Sequence, residues 1–228
     1  MTGDDHGWDD DDEPNPEDFQ PTLREKGYLE RLPDVGSFIV ALAIYALCFA
    51  VSMGAWGSGT DLSASYQTVI VEKRYWRLLS ALFVHGDLEH LLANGPLLLV
   101  FGCFLRFFFG LFAFPFLALL LGALANLLTI YYYDPQMRVV GASGMLYAMV
   151  SLWIALYLRF DTMHTVWVRL FRAIGFSAIL LFPTTFRDEV SYVSHGVGFV
   201  LGLVGAVVFL PKLQASVDGF KSDGTHHQ

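Results

Sequence analysis

Two short motifs bring the groups needed for acyl transfer to the starts of apolar segments. Residues 141–144 read Gly-Ala-Ser-Gly, and residues 194–198 read Ser-His-Gly-Val-Gly. Polar groups inside a membrane are costly and commonly functional. Serine is a nucleophile that an adjacent histidine base activates. The pair Ser143 and His195 therefore predicts a serine protease that cuts within a membrane.

Each residue of the pair also has a structural interpretation. A serine at a helix start is a common N-cap, and a membrane histidine can simply bind a neighbouring helix. Gly141 and Gly144 favour the catalytic interpretation of Ser143, because glycine permits a tight turn and a close approach of substrate. The last three apolar segments contain no Asp or Glu, so the sequence predicts a Ser143–His195 dyad without a third carboxylate.

Two further polar residues lie near the start of an earlier apolar segment. His90 and Asn94 are four positions apart, which puts them on one face of a helix, and Asp87 is a plausible N-cap before them. With the backbone N–H of Ser143, they are candidate donors to an oxyanion. The alternative is a structural polar pair that bridges two helices.

Other residues in these motifs would support the pair. Tyr147 lies one turn after Ser143 on the same face, so its ring is expected to hold the imidazole of the candidate base, which is also compatible with ordinary packing. Gly198 and Gly202 form a G-x-x-x-G face that lets two helices approach closely. His85 is interpreted as structural, or as a polar contact near the site.

The composition predicts one polytopic membrane domain that positions these residues. The chain is 54% hydrophobic with a mean hydropathy of +0.48. Most of its six apolar segments approach the ~20 residues that cross a bilayer. They cover about residues 37–56, 88–109, 110–130, 143–158, 169–186 and 191–210, with a tight turn expected at Arg106 and Gly110. In such a bundle the second, fourth and sixth spans run in the same direction, so the candidate residues converge at one end.

The fourth segment is short. Its 16 residues span ~24 Å, against a hydrocarbon core of ~30 Å. The loop that leads into Ser143 must therefore enter the bilayer. Irregular backbone at that depth is tolerated only where it is packed in protein or lines a wet cavity.

The net charge of −8 belongs to one end of the chain. The first 20 residues hold nine acids and no Lys or Arg, whereas the remainder holds 13 acids and 14 bases. We expect an acidic, largely disordered cytoplasmic tail at 1–35, a membrane domain at 36–211 and a short polar C-terminal tail at 212–228. No signal-peptide pattern is evident. The distribution of basic residues favours cytoplasmic termini in a multi-pass protein of the cell membrane.

Together these motifs resemble the rhomboid family of intramembrane serine proteases. The resemblance covers roughly residues 37–210, and the residues that carry it are Trp76, Arg77, His85, His90, Asn94, Gly141, Ser143, Gly144, Tyr147, His195, Gly198 and Gly202. Ser194 departs from the Ala that the family more often has before the histidine. Ala81 departs from an additional histidine of some members. Both departures are expected to be tolerated.

The resemblance implies a fold and an activity. The fold would be an all-α bundle of six transmembrane helices. Ser143 and His195 would be the dyad, and His90, Asn94 and the Ser143 amide would form the oxyanion hole. Substrates would be transmembrane proteins, cut near the outer membrane face without a metal or cofactor. They would enter beside the fifth segment and the loop at Phe182–Glu189. The implied partners are these substrates and the lipid bilayer, with no nucleic acid.

Other classes fit the sequence less well. A metalloprotease needs an H-E-x-x-H pair, which the chain lacks. An aspartyl protease needs two Asp residues within spans, and a transporter commonly shows an inverted repeat; neither is evident. A non-proteolytic relative that binds membrane client helices is the remaining alternative, although this chain has both Ser143 and His195.

Overall fold

A computed structural model describes residues 31–185 and 191–223, apart from residues 56 and 58. The described chain is helical, and its only extended pairing is an isolated antiparallel bridge between Ala64 and Val139. The main helices are α1 Val35–Ser52, α2 Leu88–Leu111, α3 Ala118–Ile130, α4 Ser143–Phe160, α5 Val166–Thr185, α6 Tyr192–Val208 and α7 Leu210–Asp223. The connections contain short helical turns at Gly59–Leu62, Gln67–Val71, Arg77–Ser80, Ala81–Phe83 and Phe112–Leu117.

Parts of the predicted domain organisation fall outside the described residues. The first 30 residues, which hold the acidic stretch, are among them, as are residues 186–190 of the expected substrate-access loop. The predicted boundary of the C-terminal tail, at residue 212, lies inside α7. This helix packs on the bundle, with Leu213 and Val217 fully buried.

Long apolar helices identify an integral membrane protein. Three described stretches are long and apolar enough to cross a bilayer: Val35–Ser52, Leu88–Ile130 and Ser143–Phe160. Helix α6 and the first part of α7, bent by 66° at their junction, make a fourth. This count of three to four does not reach the predicted six, and it treats Leu88–Ile130 as a single stretch.

The chain reverses direction inside that 43-residue stretch. Gly110, where the sequence predicts a tight turn, has a φ of 79° and interrupts the helix. A Cβ on Gly102 would lie 2.9 Å from the ring of Phe114, whereas residues twelve apart on a straight helix are separated by about 18 Å. Helices α2 and α3 therefore form a hairpin, and Asn126 near the end of α3 donates to the carbonyl of Leu78 just before α2.

Helix α4 is the centre of the bundle. It has 18 residues, two more than predicted, and so spans about 27 Å, still less than a ~30 Å hydrocarbon core. Two thirds of its residues are buried, and α2, α3, α5 and α6 all pack against it. Large apolar side chains on outer helices remain exposed, such as Phe49, Phe171 and Val207, as expected of surfaces that face lipid.

Helices α4 and α6 touch through their backbones. A Cβ on Gly198 would overlap the carbonyl oxygen of Gly144, and a Cβ on Gly202 would overlap the carbonyl oxygen of Ala148. The G-x-x-x-G face thus lies at the interface that the sequence predicts. Small residues matter here because helices in lipid associate mainly by close van der Waals packing.

A polar cluster joins the other end of α4 to α5. Asp161 binds Nδ1 of His164 at 3.1 Å, and Nε2 of His164 lies 2.9 Å from Arg172 on α5. Arg169 donates to the carbonyls of Leu158 and Asp161. Because the last carbonyls of a helix lack internal partners, this arginine caps α4 while it belongs to α5.

The glycine contact leads to a stability prediction. Gly202→Ala should lower the thermal midpoint in detergent, because overpacking typically costs about 1–3 kcal/mol. Gly175→Ala on α5 is the matched control: nothing lies within 4 Å of its new Cβ, and alanine favours a helix by about 1 kcal/mol over glycine. A Gly202→Ala protein with the same thermal midpoint as the Gly175→Ala protein would contradict the close contact.

Candidate active site

Ser143 is the first residue of α4 and is 9% exposed. The chain enters the helix through Gly141, whose φ of 102° is a conformation that side chains disfavour. The carbonyl of Ala142 then accepts the N–H of Leu146, which begins the helical ladder. The N–H of Ser143 is one of the first amides of the helix, which have no internal acceptor. The nucleophile candidate therefore sits beside a free donor at the positive end of a helix dipole.

The loop before Ser143 is tied to the segment that precedes α2. Val139 exchanges both backbone hydrogen bonds with Ala64, at 2.7 and 3.1 Å. The N–H of Gly141 donates to the carbonyl of Ala81 at 2.9 Å. These bonds satisfy backbone groups that would otherwise be buried without partners, as the predicted entry of this loop into the bilayer requires.

His195 lies one turn into α6 and is 7% exposed. The helix is capped by Ser191, whose hydroxyl accepts the N–H of Ser194 at 3.1 Å and also meets the hydroxyl of Tyr133 at 3.1 Å. The cap ties the start of α6 to the loop after α3. The position of His195, one turn into the helix, is therefore held by this contact to another part of the bundle.

Ser143 and His195 lie at the same end of adjoining helices. The backbone contact at Gly144 and Gly198 is one residue after Ser143 and about one turn after His195. The Tyr147 ring stacks on the imidazole of His195, with centroids 3.9 Å apart and planes 15° apart. This is the ring contact expected from the spacing. Among the described residues, no direct hydrogen bond joins Ser143 to His195.

His90 covers the glycine turn. A Cβ on Gly141 would lie 2.8 Å from Cε1 of His90, so the ring packs where no side chain fits. The predicted N-cap is present, because the Asp87 carboxylate accepts the N–H of His90 at 2.6 Å. The start of α2 is thereby held against the loop that leads into Ser143.

Asn94, one turn further along α2, is 3% exposed, yet neither Oδ1 nor Nδ2 has a hydrogen-bond partner. Buried side-chain amides are nearly always paired, so an orphan requires an explanation. In the structure, Asn94 makes no hydrogen bond that would bridge two helices. Asn126, by contrast, is 1% exposed and donates to a backbone carbonyl.

His85 makes contacts that its position in the sequence did not reveal. Its backbone N–H and its Nδ1 both meet Ser52 Oγ on α1, at 3.1 and 3.3 Å. Its Nε2 accepts the N–H of Ala142 at 3.5 Å. Burial lowers the pKa of His85 to about 3, and repulsion from His90 adds to this. The imidazole is therefore neutral at physiological pH.

The Ser194 hydroxyl fits beside the helix contact, since a Cβ on Gly144 would be 2.6 Å from Ser194 Oγ. The hydroxyl of Ser194, where alanine is more usual, thus occupies space that is open because Gly144 has no side chain. Within the described ranges, no three His, Cys, Asp or Glu side chains are grouped as metal ligands would be.

Comparison with known proteins gives one family. The Rhomboid domain model matches residues 72–212, more than half of the chain and every candidate residue. Rhomboid-related protein 1 from Caenorhabditis elegans is 32% identical in an alignment of 143 residues that covers 59% of this chain. The match covers 40% of that relative's length.

The two buried asparagines allow a matched prediction. Asn94→Leu should keep or raise the thermal midpoint in detergent, because it removes an amide without breaking a hydrogen bond. Asn126→Leu should lower it, since a buried carbonyl that loses its donor costs about 1–3 kcal/mol. Differential scanning fluorimetry of the two variants checks this, and a large loss of stability in Asn94→Leu would restore the structural interpretation.

Proposed function

The chain belongs to the rhomboid family, and on this premise we propose that it is an intramembrane serine protease. Its substrates are transmembrane helices, cut near the outer membrane face. Ser143 is the nucleophile and His195 is the general base. The proposal requires no metal or cofactor.

The observation that carries the proposal is that Ser143 and His195 lie at the same end of two helices whose backbones are in contact. The stack of Tyr147 on His195 supports it, because a ring held at 3.9 Å restricts the orientation of the imidazole. A nucleophile and a base need a fixed mutual geometry before proton transfer becomes efficient. A shift of the Ser143 hydroxyl on substrate binding completes the hydrogen bond to His195, since such bonds often tighten only in the complex.

The reaction proceeds in two acyl-transfer steps. Ser143 Oγ attacks the scissile carbonyl carbon while His195 takes its proton. The C–N bond then breaks, and His195 gives that proton to the leaving amine. A water molecule from the outer side loses a proton to His195 and attacks the acyl-enzyme. The ester bond breaks, Ser143 regains its proton, and the new carboxyl end leaves.

Three donors stabilise the tetrahedral oxyanion in this proposal: Asn94 Nδ2, the His90 ring and the Ser143 N–H. The orphan amide of Asn94 supports the assignment, because a donor held ready without a partner is preorganised for charge that appears only in the transition state. The dipole at the start of α4 adds positive potential at the same place.

The proposed membrane arrangement uses all six of α1 to α6 as spans, with α2 and α3 counted separately because the chain reverses between them. Both termini are cytoplasmic, and the Ser143 end of α4 faces the outer side of the cell membrane. The substrate helix enters beside α5, partly unwound. The bilayer and transmembrane proteins are its partners, and nucleic acid is not.

A second function is favoured by one observation. Since the described residues show no Ser143–His195 hydrogen bond, a non-proteolytic rhomboid-like protein that binds client helices fits the same fold. The two functions differ in one measurable property, the covalent reactivity of Ser143.

The first prediction here concerns the dyad. Purified protein in detergent should cleave a single-span test substrate, and Ser143→Ala and His195→Ala should each abolish cleavage with the thermal midpoint unchanged. A fluorophosphonate probe should label the wild type and not Ser143→Ala. Ser151→Ala, a buried serine on the same helix, is the matched control and should still be labelled. Cleavage that persists in Ser143→Ala would contradict the assignment of Ser143 as the nucleophile. A wild-type protein that binds the substrate but neither cleaves it nor reacts with the probe would support the client-binding function.

The second prediction concerns Asn94. Asn94→Ala should lower kcat by about 10²–10³, the usual effect of removing one oxyanion donor. The loss should be smaller than in Ser143→Ala because His90 and the Ser143 amide remain. Fluorophosphonate labelling should survive in part, because nucleophile and base are intact. A wild-type cleavage rate would exclude Asn94 from the oxyanion hole.

A further inference from the structure

We propose that His85 is a positioning residue for Ser143: its Nε2 accepts the N–H of Ala142 and fixes the backbone that leads into the nucleophile. The inference deepens the proposed function and rests on it. His85 has no direct role in the chemistry. It acts through the loop, and its own position is set by Ser52 on α1.

The first support is the buried amide of Ala142. This residue is 1% exposed, and the acceptor for its N–H is His85 Nε2 at 3.5 Å. A buried backbone N–H without an acceptor is costly. The neighbouring N–H of Gly141 is already bonded to the carbonyl of Ala81. Without the imidazole, the N–H of Ala142 would lose its acceptor directly before Ser143, the proposed nucleophile.

The second support is a tautomer that the surrounding bonds determine. A backbone N–H can donate to Nε2 only if that nitrogen has no hydrogen, so the hydrogen of a neutral imidazole lies on Nδ1. Nδ1 then donates to Ser52 Oγ at 3.3 Å, and the N–H of His85 donates to the same oxygen at 3.1 Å. The Ser52 hydroxyl hydrogen remains for the carbonyl of Phe83 at 3.3 Å. Every hydrogen in the set has one acceptor.

The third support is the arrangement of the two histidines. The rings of His85 and His90 meet edge to face with centroids 5.1 Å apart. His90 packs on Gly141, while His85 bonds to the next residue of the same turn. The turn is therefore held at Gly141 by packing and at Ala142 by a hydrogen bond. Because α1 anchors His85, the proposal links α1 to the geometry of Ser143.

The test compares two replacements that differ in reach. In His85→Gln, the side-chain carbonyl oxygen reaches the place of Nε2 and can accept the Ala142 N–H. In His85→Asn, the amide reaches only the place of Nδ1, so the Ala142 bond is lost. With full-length protein and the single-span substrate, His85→Asn should lower kcat about 10- to 100-fold with little change in KM, the scale of a misplaced reacting group. His85→Gln should recover most of that loss.

Fluorophosphonate labelling measures the same geometry without a substrate helix. The labelling rate should fall in His85→Asn and return in His85→Gln at a temperature where both variants are fully folded, because the unpaired Ala142 N–H also lowers the thermal midpoint of His85→Asn. If the two variants are labelled and cleave at the same rate when both are fully folded, His85 is a structural residue and the proposal is wrong.

A spectroscopic measurement separates this proposal from the proposed function. Ring ¹⁵N shifts of the wild type should show His85 with hydrogen on Nδ1 only, and neutral through the pH range near 6.5 where an ordinary histidine titrates. This result does not depend on catalysis. An Nε2–H tautomer would overturn the His85 proposal even in an active protease, whereas an inactive protein with the Nδ1–H tautomer would overturn the protease function alone.

Discussion

The direct backbone contact between α4 and α6 is the constraint on which the site depends. Gly198 and Gly202 leave no room for a side chain against α4, so the two helices lie closer than side-chain packing would permit. In lipid the hydrophobic effect does not drive helices together, so the van der Waals attraction of this close contact takes its place. The contact also sets the separation of Ser143 and His195, and it brings the Tyr147 ring into stacking distance. If α4 and α6 were further apart, Ser143 and His195 would both be present but would no longer have the same relative position.

The segment between α1 and α2 supplies hydrogen-bond partners for the loop before Ser143. Irregular backbone buried in a membrane protein must find internal partners. The loop before Ser143 finds them in Ala64, Ala81 and His85, all from that one segment. The segment is itself held by the bond from Asn126 to its backbone. Support for the candidate nucleophile therefore comes from the connection between α1 and α2 rather than from the long helices, and it satisfies the buried backbone before the short α4.

The sequence predicted helices and faces well, and pairs of contacts poorly. Apolar length located α1, α2, α4 and α6 to within a few residues, and Gly110 marked the reversal because only glycine readily adopts its positive φ. The spacing of Tyr147 and Ser143 placed both on one face. The pairing of Ser52 with His85 and of Ser191 with Tyr133 was not predicted, since residues far apart in sequence leave no periodic signal. Helix α7 was missed because its polar composition resembles a solvated tail, although Leu213 and Val217 are fully buried.

The packing of α7 has a consequence for the order in which the protein is assembled. Lys212 lies 3.7 Å above the ring of Phe112, and Ser216 lies beside Gly110, so the late helix covers the tip of the early α2–α3 hairpin. During synthesis the hairpin enters the membrane long before its cover exists. Until α7 has been made, the irregular backbone at Gly110 and the ring of Phe112 lack these contacts. The order of the chain thus makes the hairpin tip one of the last parts of the bundle to be covered.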